Sequence, residues 1–150
     1  MAKFERERKF LLNEEVWEEW RDKADKGRRM VQGYLTRRKE STVRVRISGE
    51  EAWLTVKGLT CGDVREEYEY SIPVEDAERM MLMCEGGVVE KTRWRLPYGG
   101  LVYEVDIFEG RHAGLKLCEV EYPEAGMEID LPPFAGREVT GDARYYNSNL

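Results

Sequence analysis

Several segments of the chain alternate charged with apolar residues. The acidic and basic side chains of such a segment fall on one face if the segment is extended. The first such segment is FERERKFLL, in which Glu5, Glu7 and Lys9 fall on one face of an extended chain. In the later segments, neighbouring charges on one face share a sign. The residues on these ionic faces are eight acids, Glu5, Glu7, Glu67, Glu69, Glu104, Asp106, Glu119 and Glu121, and six bases, Lys9, Arg44, Arg46, Lys57, Lys91 and Arg93.

Two kinds of ligand would satisfy these charges if the ionic faces met in one interior. Clustered carboxylates favour hard divalent cations such as Mg²⁺ or Mn²⁺, which prefer oxygen ligands. Six bases favour a polyanion, and basic side chains beside metal-binding carboxylates are typical of phosphoryl transfer. A half-exposed antiparallel sheet also alternates apolar and polar residues, so any single pair indicates a solvated surface. The same-sign pairing favours a shared interior, because closing the sheet would balance the charges of different strands.

Short β-strands must position these residues. Alternating patterns predict strands at 2–12, 41–48, 51–59, 63–72, 87–96, 101–109 and 115–122, with a weaker one at 30–37. Turn residues such as Gly86-Gly87 separate them. Many short strands joined by hairpins are typical of a sandwich or a barrel. If the ionic faces line the inside of a closed sheet, the apolar faces point outward.

Two segments predict helices that cover part of this outer surface. NEEVWEEWRDKADKG begins at an N-cap Asn13, carries acidic residues in its first turn and ends near Gly27. PVEDAERMMLMCEG begins with Pro73 and stops at Gly86-Gly87. The predicted fold is therefore mainly β, in an α+β arrangement with helices packed outside the sheet.

Length and composition limit the class of protein. A chain of 150 residues indicates a single domain, 1–150, with a core that needs no disulfide or metal to hold it together. The net charge of -6 argues against a general nucleic-acid binder. We find neither an apolar run of membrane-spanning length nor a signal peptide. Three widely spaced cysteines indicate reduced thiols, and we therefore expect a cytoplasmic protein.

The same residues resemble a known family, the CYTH or triphosphate tunnel metalloenzymes. The family signature Glu-x-Glu-x-Lys matches residues 5–9, which run into FLL. The resemblance continues through QGYL (32–35), VRVR (43–46), LTVKG (54–58), EYEY (67–70), VEKTRW (89–94), YEVDIFEG (103–110), GLKLCEVEY (114–122) and VTGDARYYN (139–147). It implies an eight-stranded antiparallel β-barrel that forms a tunnel, activity on triphosphates, and Mg²⁺ or Mn²⁺ as cofactor.

The resemblance also implies a role for each ionic residue. The implied metal ligands are Glu5, Glu7, Glu119 and Glu121, with Asp106 and Glu104 assisting. The implied phosphate-binding residues are Lys9, Arg44, Arg46, Lys57, Lys91 and Arg93. Arg144 joins them or lies on a helix surface, and Tyr34 lines the tunnel or is an ordinary core tyrosine. Glu67 or Glu69 accepts the proton of the attacking water, and Lys91 is assigned to catalysis as well as to substrate binding.

By length the chain is similar to compact bacterial members of this family, which are often inorganic triphosphatases. We therefore expect a metal-dependent hydrolase that cleaves inorganic tripolyphosphate to pyrophosphate and phosphate. Three alternatives stay open: a class IV adenylate cyclase, a thiamine triphosphatase, and a non-enzymatic polyphosphate-binding module. The expected partner is a small polyanion, with a homodimer as a possible assembly and neither nucleic acid nor membrane involved.

Overall fold

The computed structural model describes residues 3–62 and 64–150, which contain nine β-strands and two α-helices. The strands are β1 (Lys3–Leu12), β2 (Arg28–Thr36), β3 (Thr42–Ser48), β4 (Glu51–Lys57), β5 (Val64–Ile72), β6 (Glu85–Tyr98), β7 (Leu101–Glu109), β8 (Lys116–Glu121) and β9 (Ala135–Glu138). The helices are α1 (Glu14–Trp20) and α2 (Val74–Met81). Residues 2 and 63, which open two of the predicted strands, lie outside the described residues.

Eight of the strands form a closed antiparallel barrel, which confirms the predicted fold class. Hydrogen-bonded neighbours follow the order β5-β4-β3-β2-β6-β7-β8-β1, and β1 closes the barrel by pairing with β5. Residues 3–6 of β1 pair with β5, and residues 7–11 pair with β8. We call the junction of β1 with β5 the seam. Because side chains alternate along a strand, each strand turns one face toward the interior.

The ninth strand is a short addition that no alternating pattern in the sequence predicts. β9 pairs with residues 10–12 of β1. β8 pairs with residues 7–11 along the opposite edge of β1. It therefore continues the edge of β1 on which β5 lies. Beyond β9, the Val139 backbone N–H donates to the Lys9 carbonyl at 2.8 Å, so the chain stays against β1.

Helix α1 covers an aromatic part of the outer barrel wall. As predicted, Asn13 is its N-cap, and the Asn13 side chain accepts a hydrogen bond from the Val16 backbone N–H. The helix is shorter than predicted, because it ends at Trp20 and continues only as a 3₁₀ turn at Arg21–Lys23. Trp17 is buried, and its ring packs edge-on against Phe134 with centroids 5.1 Å apart.

Helix α2 covers a different part of the wall. It begins after Pro73 as predicted, but it ends at Met81 rather than at Gly86-Gly87, because β6 already begins at Glu85. Its buried Ala77 belongs to a core cluster with Val45 and Ala52 on the outer faces of β3 and β4. Among the described residues, neither helix is long or apolar enough to cross a membrane.

Candidate active site

Two cavities lie in the barrel interior, one toward each mouth. The carboxylate cavity has a lining that includes Glu5, Glu7, Lys9, Tyr34, Arg44, Lys57, Arg65 and residues 146–148. The arginine cavity, of about 320 Å³, is lined by Asp25, Arg28, Met30, Arg46, Trp53, Glu69, Arg93, Arg95 and Glu104. Along β4, Trp53 lines the arginine cavity, Lys57 lines the carboxylate cavity, and the buried Thr55 between them lines neither. Inward residues thus form a middle layer that separates the cavities.

Three carboxylates converge beside the carboxylate cavity, where Glu5 and Glu7 line the cavity and the more exposed Glu121 lies next to them. Oxygen atoms of Glu5, Glu7 and Glu121 all lie within 4.8 Å of one another. Burial, together with the neighbouring Glu119 and Glu5, raises the pKa of Glu7 to about 7. Burial and the surrounding carboxylates, Glu5 foremost, raise the pKa of Glu121 to about 8. Because these donors are all oxygens and repel one another, the group fits a hard divalent cation.

Glu7 and Glu121 differ from the other interior acids in their partners. Neither takes part in an ion pair within 4.0 Å among the residues that the structure describes. Glu5 is the exception within the triad, because Lys57 Nζ donates a hydrogen bond to Glu5 Oε1 at 2.7 Å. When Glu7 and Glu121 are ionised, the triad therefore carries more negative charge than Lys57 neutralises.

Lys57 joins two carboxylates across the seam. Its Nζ lies 2.7 Å from Glu5 on β1 and 3.3 Å from Glu67 on β5. Burial raises the pKa of Glu5, but the Lys57 ammonium and a hydrogen bond to Glu67 outweigh it, so the net pKa is lowered. Burial and the hydrogen bond to Glu5 raise the pKa of Glu67. Glu67 is therefore the carboxyl group of this pair that takes up a proton first.

Asp106 sits at the centre of the middle layer and holds two cations. Its carboxylate accepts hydrogen bonds from Lys91 Nζ at 2.7 Å and from Arg93 Nε and Nη2 at 2.7 and 2.8 Å. Both Asp106 and Lys91 are fully buried. Burial raises the pKa of Asp106, but Arg93 and Lys91 hold it well below its usual range. Burial lowers the pKa of Lys91 to about 7, against the opposing effect of Asp106.

The six expected metal ligands therefore divide into two groups. Glu119 lies 3.3 Å from Lys9. Burial raises the pKa of Glu119, but the positive charge of Lys9 outweighs burial, and the pKa falls to about 2. Glu104 lies 3.3 Å from Arg93. These two acids and Asp106 are bound to bases and lie outside the oxygen cluster of Glu5, Glu7 and Glu121, in which Glu5 alone has an ion pair among the described residues. In this structure Glu104, Asp106 and Glu119 pair with bases, and their expected role as metal ligands stays a prediction.

The two arginines of β3 line different cavities. Arg44 donates to Thr55 Oγ1 at 3.3 Å, and Thr55 in turn donates to Glu69 at 3.0 Å. Arg46 donates from Nε to Gln32 Oε1 at 2.8 Å, and the described residues offer it no carboxylate partner. Burial, with the charges of Arg44 and Arg93, lowers the pKa of Arg46 to about 9. Arg46 is thus a buried cation with no ion pair within 4.0 Å among the described residues, and the more distant charge of Asp106 opposes the lowering of its pKa only in part.

The chain after β9 covers the mouth of the carboxylate cavity. The Tyr145 carbonyl accepts a hydrogen bond from Lys9 Nζ at 2.9 Å, and Asn147 lies at hydrogen-bonding distance, 3.5 Å, from Glu119. Tyr34 is buried and lines this cavity, as one of the two readings of the sequence expected. Arg144 lies elsewhere, since its exposed guanidinium pairs with Asp142 at 2.7 Å. The expected phosphate contact of Arg144 is not supported by this position.

Three further interior residues are assigned no role from the sequence. Gln32 and Thr55 are fully buried on the inner faces of β2 and β4, and Arg65 lines the carboxylate cavity. Arg65 donates to the Gly58 carbonyl at 2.9 Å and so fixes the turn between β4 and β5. The signal that would have found all three is strand parity, because each shares the inward face of an assigned residue on its own strand.

A barrel whose inner wall carries clustered acids and bases defines a family of known proteins. The CYTH domain model matches residues 3–146 of this chain. The chain belongs to the CYTH domain family.

Relatives and solved structures agree with this assignment. The chain is 41% identical over 145 residues to an inorganic triphosphatase of Acetivibrio thermocellus, covering 96% of this chain and 90% of that protein. It is 42% identical over 124 residues to an inorganic triphosphatase of Nitrosomonas europaea, covering 79% and 81% respectively. The crystal structure of the inorganic triphosphatase NE1496 superposes with a TM-score of 0.64 at 33% identity, covering 97% of this chain and 93% of that one.

More distant structures share the fold alone. A putative adenylate cyclase from Bacillus halodurans has a TM-score of 0.58 at 16% identity, covering 82% of each chain. A likeness at this level of identity says nothing about the reaction.

Proposed function

We propose that this protein hydrolyses inorganic tripolyphosphate to pyrophosphate and orthophosphate with Mg²⁺ or Mn²⁺ as cofactor. CYTH triphosphatases depend on a metal ion in general, and the triphosphatase relatives act on small polyphosphates. The observation that carries the proposal is the cluster of Glu5, Glu7 and Glu121 in a barrel interior that also holds buried bases. Carboxylates for a metal and cations for phosphates are the two components that phosphoryl transfer uses.

The metal ligands of the proposal are Glu5, Glu7 and Glu121. Their oxygens are close enough for one divalent ion to contact all three, and the raised pKa values of Glu7 and Glu121 reflect a repulsion that a cation would relieve. A divalent ion held there supplies positive charge that neutralises phosphate oxygens and activates water.

The phosphate chain is bound by the bases that face the interior. Arg44 and Arg46 present planar guanidinium groups that suit bidentate contacts, whereas Lys9 and Lys57 act as point charges. Lys91 and Arg93 are fixed by Asp106, so their charges are oriented before substrate arrives. Such preorganised charge stabilises the transition state without reorganisation during the reaction.

A carboxylate accepts the proton of the attacking water. The water oxygen forms a bond to a terminal phosphorus, the bond from that phosphorus to the bridging oxygen breaks, and pyrophosphate leaves with the bridging oxygen. Glu67 is the favoured acceptor, because burial and the hydrogen bond to Glu5 raise its pKa, which makes it a better base than an ordinary carboxylate. Glu69 is the second candidate, and it is held by Thr55. The proposal also keeps a catalytic role for Lys91, whose lowered pKa of about 7 brings its titration near neutral pH.

A phosphate-release panel tests the proposal. Purified protein is assayed on tripolyphosphate, pyrophosphate, ATP and thiamine triphosphate, each with Mg²⁺ and with Mn²⁺, and cyclic AMP is measured in parallel. We expect the highest kcat/KM on tripolyphosphate, because its charge is the most compact and two additional charged contacts are worth about 3 kcal/mol, or a hundredfold. Efficient cyclic AMP formation with tripolyphosphate left intact would assign the chain to the cyclases instead. Binding of polyphosphate without cleavage of any substrate would assign it to the binding modules.

The sequence-based expectations of one domain over residues 1–150, of a cytoplasmic location and of a homodimer stay predictions. Size-exclusion chromatography with light scattering tests the last of them.

A further inference from the structure

Thr55 lies on β4 between two charged residues of the barrel interior. Its direct neighbours across the sheet are Arg44 on β3 and Glu69 on β5. The three side chains share the inward side of the sheet, because residues paired directly across strands point to the same face. Thr55 is fully buried. It therefore stands between Arg44, which lines the carboxylate cavity, and Glu69, which lines the arginine cavity.

The hydroxyl group of Thr55 joins its two neighbours. It accepts a hydrogen bond from Arg44 Nη2 at 3.3 Å and donates one to Glu69 Oε2 at 3.0 Å. The direction of both bonds is fixed, because a guanidinium group can only donate and an ionised carboxylate can only accept. The direct contact between Arg44 Nη2 and Glu69 Oε2 is longer, at 3.6 Å. The hydroxyl group is thus the closer link between the two charges.

The size of the residue at position 55 matters as well as its hydroxyl group. Arg44 and Glu69 belong to strands on either side of β4, so their backbones are about 10 Å apart. The arginine side chain has to extend past residue 55 to approach the carboxylate. A threonine leaves room for this and offers a polar atom on the way, whereas a large apolar side chain would occupy the same space.

The hydrogen bonds leave polar atoms of both partners available. Neither Arg44 Nη1 nor Glu69 Oε1 makes a hydrogen bond to any described residue. A guanidinium and a carboxylate that are each held at one atom have less rotational freedom before substrate arrives. Charge that is oriented in advance needs no reorganisation during the reaction.

We propose that Thr55 is a positioning residue of the active site, whose hydroxyl group holds Arg44 and Glu69 together as one hydrogen-bonded unit across β3, β4 and β5. Thr55 lines neither cavity, so it acts through its two partners. Without the hydroxyl group, Arg44 loses the acceptor of its Nη2 and Glu69 loses the donor that orients its carboxylate. The proposal rests on the hydrolysis proposed above and adds a residue that orients its groups.

Kinetics on tripolyphosphate with Mg²⁺, together with calorimetric binding of tripolyphosphate in EDTA, test this role. Thr55→Val removes the hydroxyl group at nearly constant size, and Thr55→Ser keeps it. The matched control is Thr92→Val, because the Thr92 hydroxyl group also donates to a carboxylate, that of Glu109 at 3.4 Å, but on the outer face of β6. Circular dichroism checks folding, and Thr55→Ala replaces Thr55→Val if that variant does not fold.

We expect Thr55→Val to lower kcat/KM by about tenfold and to weaken binding in EDTA by about fivefold, since hydrogen bonds to charged groups are lost. Thr55→Ser should stay within about threefold of the wild type in both measurements, and Thr92→Val within about twofold. Stability alone would not give this rescue by serine in binding affinity and kcat/KM together.

Double variants show whether Thr55 acts through its partners. In an Arg44→Gln background, and likewise in a Glu69→Gln background, adding Thr55→Val should lower kcat/KM by less than about threefold, because the unit is already broken. The proposal is overturned if the full loss persists in both backgrounds, or if Thr55→Ser loses as much as Thr55→Val.

The two measurements separate this proposal from the proposed function. If the wild type binds tripolyphosphate but does not cleave it, the hydrolysis is refuted, and the same comparisons of variants in binding affinity decide the role of Thr55. If the wild type cleaves tripolyphosphate and Thr55→Val matches it in both measurements, the role of Thr55 alone is refuted. A wild type that neither binds nor cleaves tripolyphosphate overturns both.

Discussion

Lys57 Nζ lies 2.7 Å from Glu5 and 3.3 Å from Glu67, so one ammonium group neutralises carboxylates from the two strands that close the barrel. The same ammonium lines the carboxylate cavity together with Glu5 and Glu7 of the triad. One side chain thus contributes both to the ion pairing across the seam and to the charge of the site.

Replacing Lys57 should therefore destabilise the barrel. In Lys57→Met, Glu5 and Glu67 lose their shared cation, and we expect the free energy of unfolding in EDTA at pH 8.5 to fall by about 2 kcal/mol. Urea denaturation measures this. The control is Lys116→Gln, which removes a more exposed pair with Glu14 and should cost less than about 1 kcal/mol. Equal losses of unfolding free energy in the two variants would show that the ion pairs of Lys57 at the seam stabilise the fold no more than an exposed ion pair.

The division of the acids into two groups predicts different responses to metal. Glu7→Gln removes a carboxylate from the triad, so the Mg²⁺ concentration for half-maximal phosphate release should rise at least about tenfold. Glu104→Gln removes an acid that is bound to Arg93, and the half-maximal concentration should stay within about threefold of the wild type. A larger metal effect from Glu104→Gln would restore the ligand assignment expected from the sequence.

The raised pKa values of Glu7 and Glu121 set the direction of a pH effect. Without metal, these groups hold protons up to pH values of about 7 and 8 in the folded protein, whereas in the unfolded chain they release them near pH 4.5. Folding therefore binds protons in this window, and the stability in EDTA should fall as the pH rises from about 4.5 to 7. Melting temperatures at pH 5 and pH 7 measure the fall, which Glu7→Gln should reduce, since above pH 7 the lowered pKa of Lys91 acts in the opposite direction.

Metal binding reverses this dependence. A cation competes with protons for Glu7 and Glu121, so its affinity should rise with pH until both carboxylates are ionised. We expect activity at limiting Mg²⁺ to have an alkaline optimum. An optimum well below neutral pH would indicate a general-acid mechanism in which metal ligation is not limiting.

Gln32 should act on the reaction through Arg46. In Gln32→Leu the guanidinium loses the acceptor of its Nε, and we expect kcat/KM on tripolyphosphate to fall by about tenfold or more, mainly through KM. Gln32→Glu should weaken substrate binding further, because a carboxylate would pair with Arg46 in place of phosphate. Similar losses from Gln32→Leu in stability and in kcat, with KM unchanged, would indicate a purely structural role.

Arg144 should have little influence on catalysis. Its guanidinium is exposed and paired with Asp142, so Arg144→Gln is expected to keep kcat/KM within about twofold of the wild type. Arg44→Gln is the matched comparison, and it should lose about tenfold or more because Arg44 faces the carboxylate cavity. A large loss in Arg144→Gln would show that this residue reaches the substrate in the working enzyme.

Strand parity predicts the barrel and its ionic lining because alternation is a local property of the chain. Glu5, Lys57 and Asp106 could each be assigned to an inner face without knowledge of their neighbours. The same reasoning gives outward positions to Val105 and Cys118, which are buried under the outer layer of the fold.

Which interior acid pairs with which base is not a local property of the sequence. Asp106 binds Lys91 and Arg93 because β6 and β7 are neighbours in the sheet, and the alternating pattern of one strand does not contain that register. The sequence therefore predicts that Asp106 is inside, but not that bases occupy its oxygens. The sequence does not predict β9 for a different reason, because its four residues, AGRE, are too few to show an alternating pattern.

The pairing of β1 has a consequence for how the chain folds during synthesis. β1 leaves the ribosome first, yet its partners are β5, β8 and β9, the last of which ends at Glu138. Glu5 and Glu7, the two candidate metal ligands on β1, therefore lack their final neighbours until most of the chain has been synthesised. Long-range pairings of this kind slow folding, because distant segments must meet before their contacts stabilise them. The metal-binding cluster needs β1 and β8 together, so a product interrupted before Glu121 would lack one of the three carboxylates that hold the ion.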